Sequence, residues 1–266
     1  MPFVRYGLLL LFLCTRPAWA QLDLQTPFAN CQLTGSTTLY DYRQQRWIMS
    51  DSADARRETL PASTFKVINL LIALETGVIK SEHDVVNWVG TTDTTLYGYR
   101  PEIYRDMTVR EAFAESAGWV FIELAKRIGR ERYRYYLTKA QYGNGQLTES
   151  GPDFWNFGAF GISPLNQVRF LKDVYDNKTP FSRRSLTILK RVMITEQTDR
   201  YTLRSKTGWT RYGNQDTGWW VGYVENGRNT YFFATRVLKS RQTPNPNFGE
   251  CRKEITRAIL RQLGAI

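Results

Sequence analysis

Runs of β-branched and aromatic residues stand near both ends of this chain, and the long stretch between them is helical in pattern. Near the start, Thr37–Asp41 and Trp47–Ser50, joined across Tyr42-Arg43-Gln44-Gln45-Arg46, have the form of a β-hairpin. Near the end, Tyr201–Thr207, Trp219–Val224 and Tyr231–Val237 are strand-like. The last two are linked by Glu225-Asn226-Gly227-Arg228, whose Asn-Gly pair suits a tight hairpin turn. Strands separated in this way are best satisfied in one antiparallel sheet with the helices packed on it. The expected fold is α+β: an antiparallel sheet flanked by N- and C-terminal helices, with a helical region packed against it.

The helical pattern has readable boundaries. A helix is expected from about Ser63 to Glu75, with Pro61 upstream, an apolar stripe of Val67, Leu70, Leu71 and Leu74, and Gly77 beyond its end. Thr108-Val109-Arg110-Glu111 is a capping box opening a segment that runs to Ile128 with a break near Gly118. Further helices are expected over Glu131–Gln141, from Ser163-Pro164, over Ser182–Ile194 and over Glu250–Leu263. An active site would lie where the helical region meets the sheet edge.

The first 20 residues read as a secretory signal peptide. Arg5 precedes an apolar stretch from Gly7 to Cys14, and Ala18-Trp19-Ala20 gives a small-x-small cleavage pattern. The apolar stretch is too short to span a bilayer, which takes about 20 residues. Residues 21–266 show no repeat or low-complexity linker and are expected to form a single domain. Cleavage removes two cations and no acid, so the balance becomes 34 − 25 = +9. The Lys and Arg residues are scattered, without a basic run or an RNA-binding signature, so a solvated basic surface is the reading and nucleic acid is not an expected partner. Cys14 leaves with the signal, and Cys31 and Cys251 can then pair in only one way; two free buried thiols are the alternative.

The chain has a single histidine, His83, which excludes zinc sites built from several imidazoles. A Ser-His-Asp triad would have to use that residue alone. Another base is available. Ser63-Thr64-Phe65-Lys66 puts a hydroxyl and an amine three residues apart on one helix face. Lys66 could take the proton of Ser63 if burial kept it from being a plain ammonium. The helix start would also offer backbone N–H groups to a developing oxyanion.

Alone, that spacing is a weak signal. It gains weight from Lys206-Thr207-Gly208 at the end of an expected strand, because the two motifs together serve serine enzymes that open β-lactams or process peptidoglycan. The strand would supply a cation and a hydroxyl for a substrate carboxylate, and the glycine would let substrate lie along it. Ser116-Ala117-Gly118 and Tyr142-Gly143-Asn144 stand between the two motifs, each readable as an ordinary cap or turn.

As a set, these residues resemble the class D, oxacillinase-type serine β-lactamases, from about Thr34 to Leu263. Leu60-Pro61-Ala62-Ser63-Thr64-Phe65-Lys66 is similar to that family's nucleophile motif, Tyr142-Gly143-Asn144 to its YGN box and Phe154-Trp155 to its omega-loop tryptophan. Lys206-Thr207-Gly208-Trp209 matches the KTG motif, Gly218-Trp219-Trp220-Val221-Gly222 the following strand, and Cys251-Arg252 the position of a carboxylate-binding arginine. The resemblance implies β-lactam hydrolysis through an acyl-enzyme on Ser63. Lys66, carboxylated by CO2 or bicarbonate, would be the general base, held by the indole of Trp155. Ser116 would relay a proton to the leaving nitrogen with Lys206 nearby, and the backbone N–H groups of Ser63 and Trp209 would form the oxyanion hole. Thr207, Gly208, Arg252, Phe121 and Tyr142 would bind substrate, in a loop-bordered pocket that includes Trp209–Gly218. No metal or other cofactor is implied.

The chain departs from the pattern at two positions. Gly118 and Asn156 stand where the family usually has Val and Leu close to the modified lysine. Loss of two apolar shields makes uncharged Lys66 costlier and a carbamate easier to lose. The expected protein is an exported, periplasmic enzyme, monomer or dimer, acting on small-molecule β-lactams without a membrane anchor in its mature form. The competing expectations are a β-lactam sensor that acylates without turnover, a DD-peptidase acting on peptidoglycan, and a basic binding protein without activity.

Overall fold

The sheet expected from the two ends of the sequence is present, with six strands and every neighbour antiparallel. The computed structural model describes residues 22–266, so the expected signal segment lies outside the described residues. In chain order the elements are α1 (Thr26–Cys31), β1 (Thr34–Asp41), β2 (Arg46–Met49), α2 (Lys66–Glu75), β3 (Val85–Val86), α3 (Thr94–Tyr97), β4 (Met107–Thr108), α4 (Val109–Ala114), α5 (Gly118–Ile128) and α6 (Arg130–Lys139). They continue as α7 (Pro164–Tyr175), α8 (Arg183–Val192), β5 (Ile194–Gln197), β6 (Thr202–Tyr212), β7 (Gln215–Glu225), β8 (Thr230–Ser240) and α9 (Phe248–Gln262). The N-terminal hairpin joins the C-terminal strands through β1 and β8, in register from Thr34 opposite Leu238 to Asp41 opposite Tyr231.

The sheet is covered on both faces, which is why β7 is buried almost throughout rather than alternating. Trp219, Val221 and Tyr223 turn to a core shared with α2, α5 and α7, whereas Trp220 and Val224 turn to a second core under α9. Cys31, ending α1, is disulfide-bonded to Cys251 on α9, with Cα atoms 5.9 Å apart, so the alternative of two free thiols does not hold. Between the cores the sheet is a wall with its β6 edge turned to the helical region.

Local sequence accounts for most helix boundaries. The capping box forms as expected: Thr108 Oγ1 accepts from the Glu111 N–H, and the Glu111 carboxylate accepts from Thr108. The segment that follows breaks into α4 and α5 at Ser116, which has φ 60°. The helix expected over Ser63–Glu75 starts as a 3-10 turn, Ala62–Phe65, and continues as α2. Its apolar stripe was an incomplete guide, since Lys66 to Leu74 are all buried and α2 is the centre of the helical region. Trp209–Gly218 is not a loop. The β6–β7 ladder runs on through Thr210–Thr217 and Arg211–Asp216 to Tyr212–Gln215, and the Arg211–Asp216 charge pair spans the two strands. Among the described residues no helix is long and apolar enough to cross a membrane.

Candidate active site

The turn that carries Ser63 is held from every side. Ala62, at φ 51°, donates its N–H to the Trp155 carbonyl at 3.0 Å. Thr64 Oγ1 donates to Pro61 O at 2.7 Å and accepts from Gln167 Nε2 at 2.8 Å, while the Trp219 indole donates to Leu60 O at 2.9 Å. Trp155 stacks on Phe65, ring centroids 4.9 Å apart and nearly parallel. Lys66 Nζ is hydrogen-bonded to Ser63 Oγ at 2.8 Å. Burial is the main reason the Lys66 ammonium is pushed down to about 7, and the Arg100 guanidinium adds to it. Near neutral pH this lysine is therefore available as an amine, as the spacing alone required.

The β6 edge supplies the second half. Lys206 Nζ donates to Ser116 Oγ at 3.0 Å, joining the middle of β6 to the break between α4 and α5. Burial holds Lys206 well below the ordinary lysine range, with Lys66, Arg252 and Arg100 acting in the same direction. Gly208 has a packing role beside the substrate-side place read from sequence. A Cβ there would meet Pro61 O at 2.8 Å and Thr64 N at 3.1 Å, so the missing side chain lets β6 lie directly on the nucleophile turn. Arg252, from the first turn of α9, donates to Gly249 O at 2.8 Å and to Gly208 O, and burial lowers it to about 10.

These groups open on one cleft of about 440 Å³. Ser63, Lys66, Ser116, Thr207, Gly208, Trp209 and Arg252 all line it. Gly118 and Asn156 line it too, and a Cβ on Gly118 would have nothing within 4 Å. Phe121 and Tyr142 are placed elsewhere. Phe121 is fully buried with its ring 5.2 Å below Lys66 Nζ, and Tyr142 is buried with its hydroxyl on Gln167 Oε1 at 3.3 Å. Both support the site from behind, because large rings on the inner sides of α5 and of the turn after α6 are drawn into the core. Asn144 is likewise a brace: its amide accepts from Gly161 N–H at 3.1 Å and donates to Ala159 O at 3.0 Å, closing the loop that carries Trp155. Gly143, at φ +71° and with Phe160 and Gly161 O close by, is where a side chain would not fit. His83 is exposed, beside Glu82, and does not line the cleft.

Arg100, Tyr97 and Gln167 belong to no motif or spacing that marks them in the sequence. Arg100 and Tyr97 line the cleft from a segment with no strand or long helix, and Tyr97 OH is hydrogen-bonded to Asp153 across the mouth. The only local cue was Pro101, which opens a 3-10 turn.

The penicillin binding protein transpeptidase domain family matches residues 35–261. The chain is 39% identical over 220 residues to β-lactamase OXA-10 of Pseudomonas aeruginosa, covering 82% of this chain and 79% of that protein. It belongs to the class D β-lactamase family. Within that family it is also 35% identical over 236 residues to β-lactamase OXA-48 of Klebsiella pneumoniae, covering 88% of this chain and 85% of the relative. Two class D structures extend the likeness to the whole fold. One from Sebaldella termitidis aligns with TM-score 0.86 and 38% identity over 93% of this chain and 98% of its own. The YbXI class D β-lactamase from Nostoc aligns with TM-score 0.85 and 35% identity over 92% of this chain and 100% of its own. The α+β class D fold expected from the sequence is thus the fold of the family.

Proposed function

We propose that this chain hydrolyses β-lactam antibiotics through an ester on Ser63, with Lys66 as the site of the general base, and so confers resistance to them. The observation that carries the reading is the pair of amine–hydroxyl contacts, Lys66 to Ser63 at 2.8 Å and Lys206 to Ser116 at 3.0 Å, with Ser63, Lys66 and Ser116 lining one cleft and Lys206 buried behind it. Ser63 Oγ attacks the lactam carbonyl carbon and gives its proton to the Lys66 side. The backbone N–H groups of Ser63 and Trp209 receive the carbonyl oxygen as charge gathers on it. The lactam C–N bond breaks, and its nitrogen takes the Ser116 proton, which Lys206 replaces. The proton held on the Lys66 side returns to Lys206, and water then attacks the Ser63 ester, giving its proton to Lys66, which passes it to Ser63 Oγ as the ester C–O bond breaks and the opened acid leaves. Thr207 and Arg252 hold the ring carboxylate throughout.

The surroundings of Lys66 suit modification by CO2. The amine is buried and near-neutral in pKa, and the Arg100 guanidinium acts on it. A carbamate on Nζ would supply an anionic base beside Ser63, and Trp155 would be the residue that holds it. Gly118 and Asn156 leave that region more open to water than Val and Leu would. Turnover is therefore expected to rise strongly with added bicarbonate at constant pH, and Gly118→Val, for which the cleft has room, should lower the bicarbonate needed. Equal rates with and without bicarbonate would remove the modified lysine from the account. The residues 1–20 pattern supports export to the periplasm, where such substrates arrive.

A further inference from the structure

The side chains lining the cleft include four cations, Lys66, Arg100, Arg211 and Arg252, and no carboxylate. All four have work to do or a partner, and one of them keeps donors to spare. Lys66 belongs to the nucleophile pair, Arg252 is tied to two carbonyls beside Thr207, and Arg211 lies 3.5 Å from Asp216 and over the Trp209 ring. Arg100 is different. It is fixed by Nε on exposed Glu102 at 2.8 Å and by Nη2 on Glu115 O at 3.1 Å. A guanidinium has five N–H donors, so among the described residues the other three have no protein acceptor. Arg100 is anchored on the helical wall beside Ser116, whereas Arg211 stands on β6, and both side chains line the cleft.

A bicyclic β-lactam has one carboxylate on its ring, which Thr207 and Arg252 would hold. Its exocyclic substituent would then point away from that pair, toward the part of the cleft lined by the 92–104 segment. We infer that Arg100, together with Arg211, forms a second anion subsite that favours β-lactams carrying a carboxylate or sulfonate on the exocyclic side chain. The planar fork of an arginine suits a carboxylate, and a cleft lined by one sign of charge also concentrates dianionic substrate at its mouth. This inference rests on the hydrolytic reading of the site.

The test compares kcat/KM for benzylpenicillin and for its α-carboxybenzyl analogue, which differ only by that carboxylate. In Arg100→Gln the ratio of carboxylated to plain substrate should fall about fivefold, the most that a half-exposed pair typically supplies. The loss should lie in KM, and Arg100→Lys should recover part of it. In the unsubstituted enzyme the ratio should also fall as salt is raised. If Arg100→Gln changes both substrates by the same factor, Arg100 only braces Glu115 and the subsite is overturned, with the hydrolytic reading intact. If the unsubstituted enzyme opens neither penicillin, the hydrolytic reading fails and the subsite with it.

Discussion

Lys66 sets the chemistry by where it is buried. An ordinary lysine would carry its proton at neutral pH and could not relieve Ser63 of one. At Lys66 burial comes first, and the Arg100 charge adds to it, bringing the value to about 7. The free-amine form is the upper side of that value, so kcat/KM in bicarbonate-free buffer is expected to rise with pH through an acid limb near 7. The same shift costs stability. The unfolded chain binds this proton up to a pH of about 10.4 and the folded chain only up to about 7. The cost is therefore absent above the unfolded value, grows as pH falls, and is complete below the folded one. Lys66→Met should abolish turnover yet raise the melting midpoint at pH 7, by on the order of 5 °C, with the gain shrinking toward pH 10. A pH series of thermal melts beside the rate profile checks both signs. Of the candidate residues, those fixed by a short spacing were legible. Phe121 and Tyr142 were given a substrate role that their burial does not support, because a motif match carries no information about which side of the backbone faces solvent.

Elements explain why the two halves of the site meet. β6 crosses the nucleophile turn so closely that Gly208 has backbone on its side-chain face, with Pro61 O 2.8 Å from where a Cβ would lie. Gly208→Ala must push β6 and the turn apart, separating the Lys206–Ser116 pair from the Ser63–Lys66 pair. The expected result is a folded protein with kcat lowered at least a hundredfold, in keeping with the sensitivity of positioned groups to displacement of about 1 Å. Circular dichroism beside steady-state rates would check it; a rate within threefold of the unsubstituted enzyme would show that the close approach is unimportant. The strands and capped helices around this crossing were readable because hydrophobic period and caps are local. Arg100 and Tyr97 were not, since the 92–104 segment has no period, and its place over the cleft is set by distant partners, Glu115 and Asp153.

At the scale of the whole molecule, two covered faces of one sheet hold the site still. The order β2-β1-β8-β7-β6-β5 brings the ends of the described chain together, and Cys31–Cys251 closes a loop spanning 220 positions at the core under α9. The antiparallel sheet and the helical region were legible from the strand-like ends of the sequence. The length of the β6–β7 hairpin was not, because its outer turns are polar and read as loop; cross-strand pairing decides them. The central claim is that Ser63 is acylated and then freed within this frame. Intact-mass spectrometry of rapidly quenched mixtures with benzylpenicillin, followed by peptide mapping, measures that directly. The account predicts a transient adduct of the full penicillin mass on the Ser63 peptide, many turnovers per enzyme, and neither in Ser63→Ala. An adduct that persists without turnover, or hydrolysis that survives in Ser63→Ala, would contradict it.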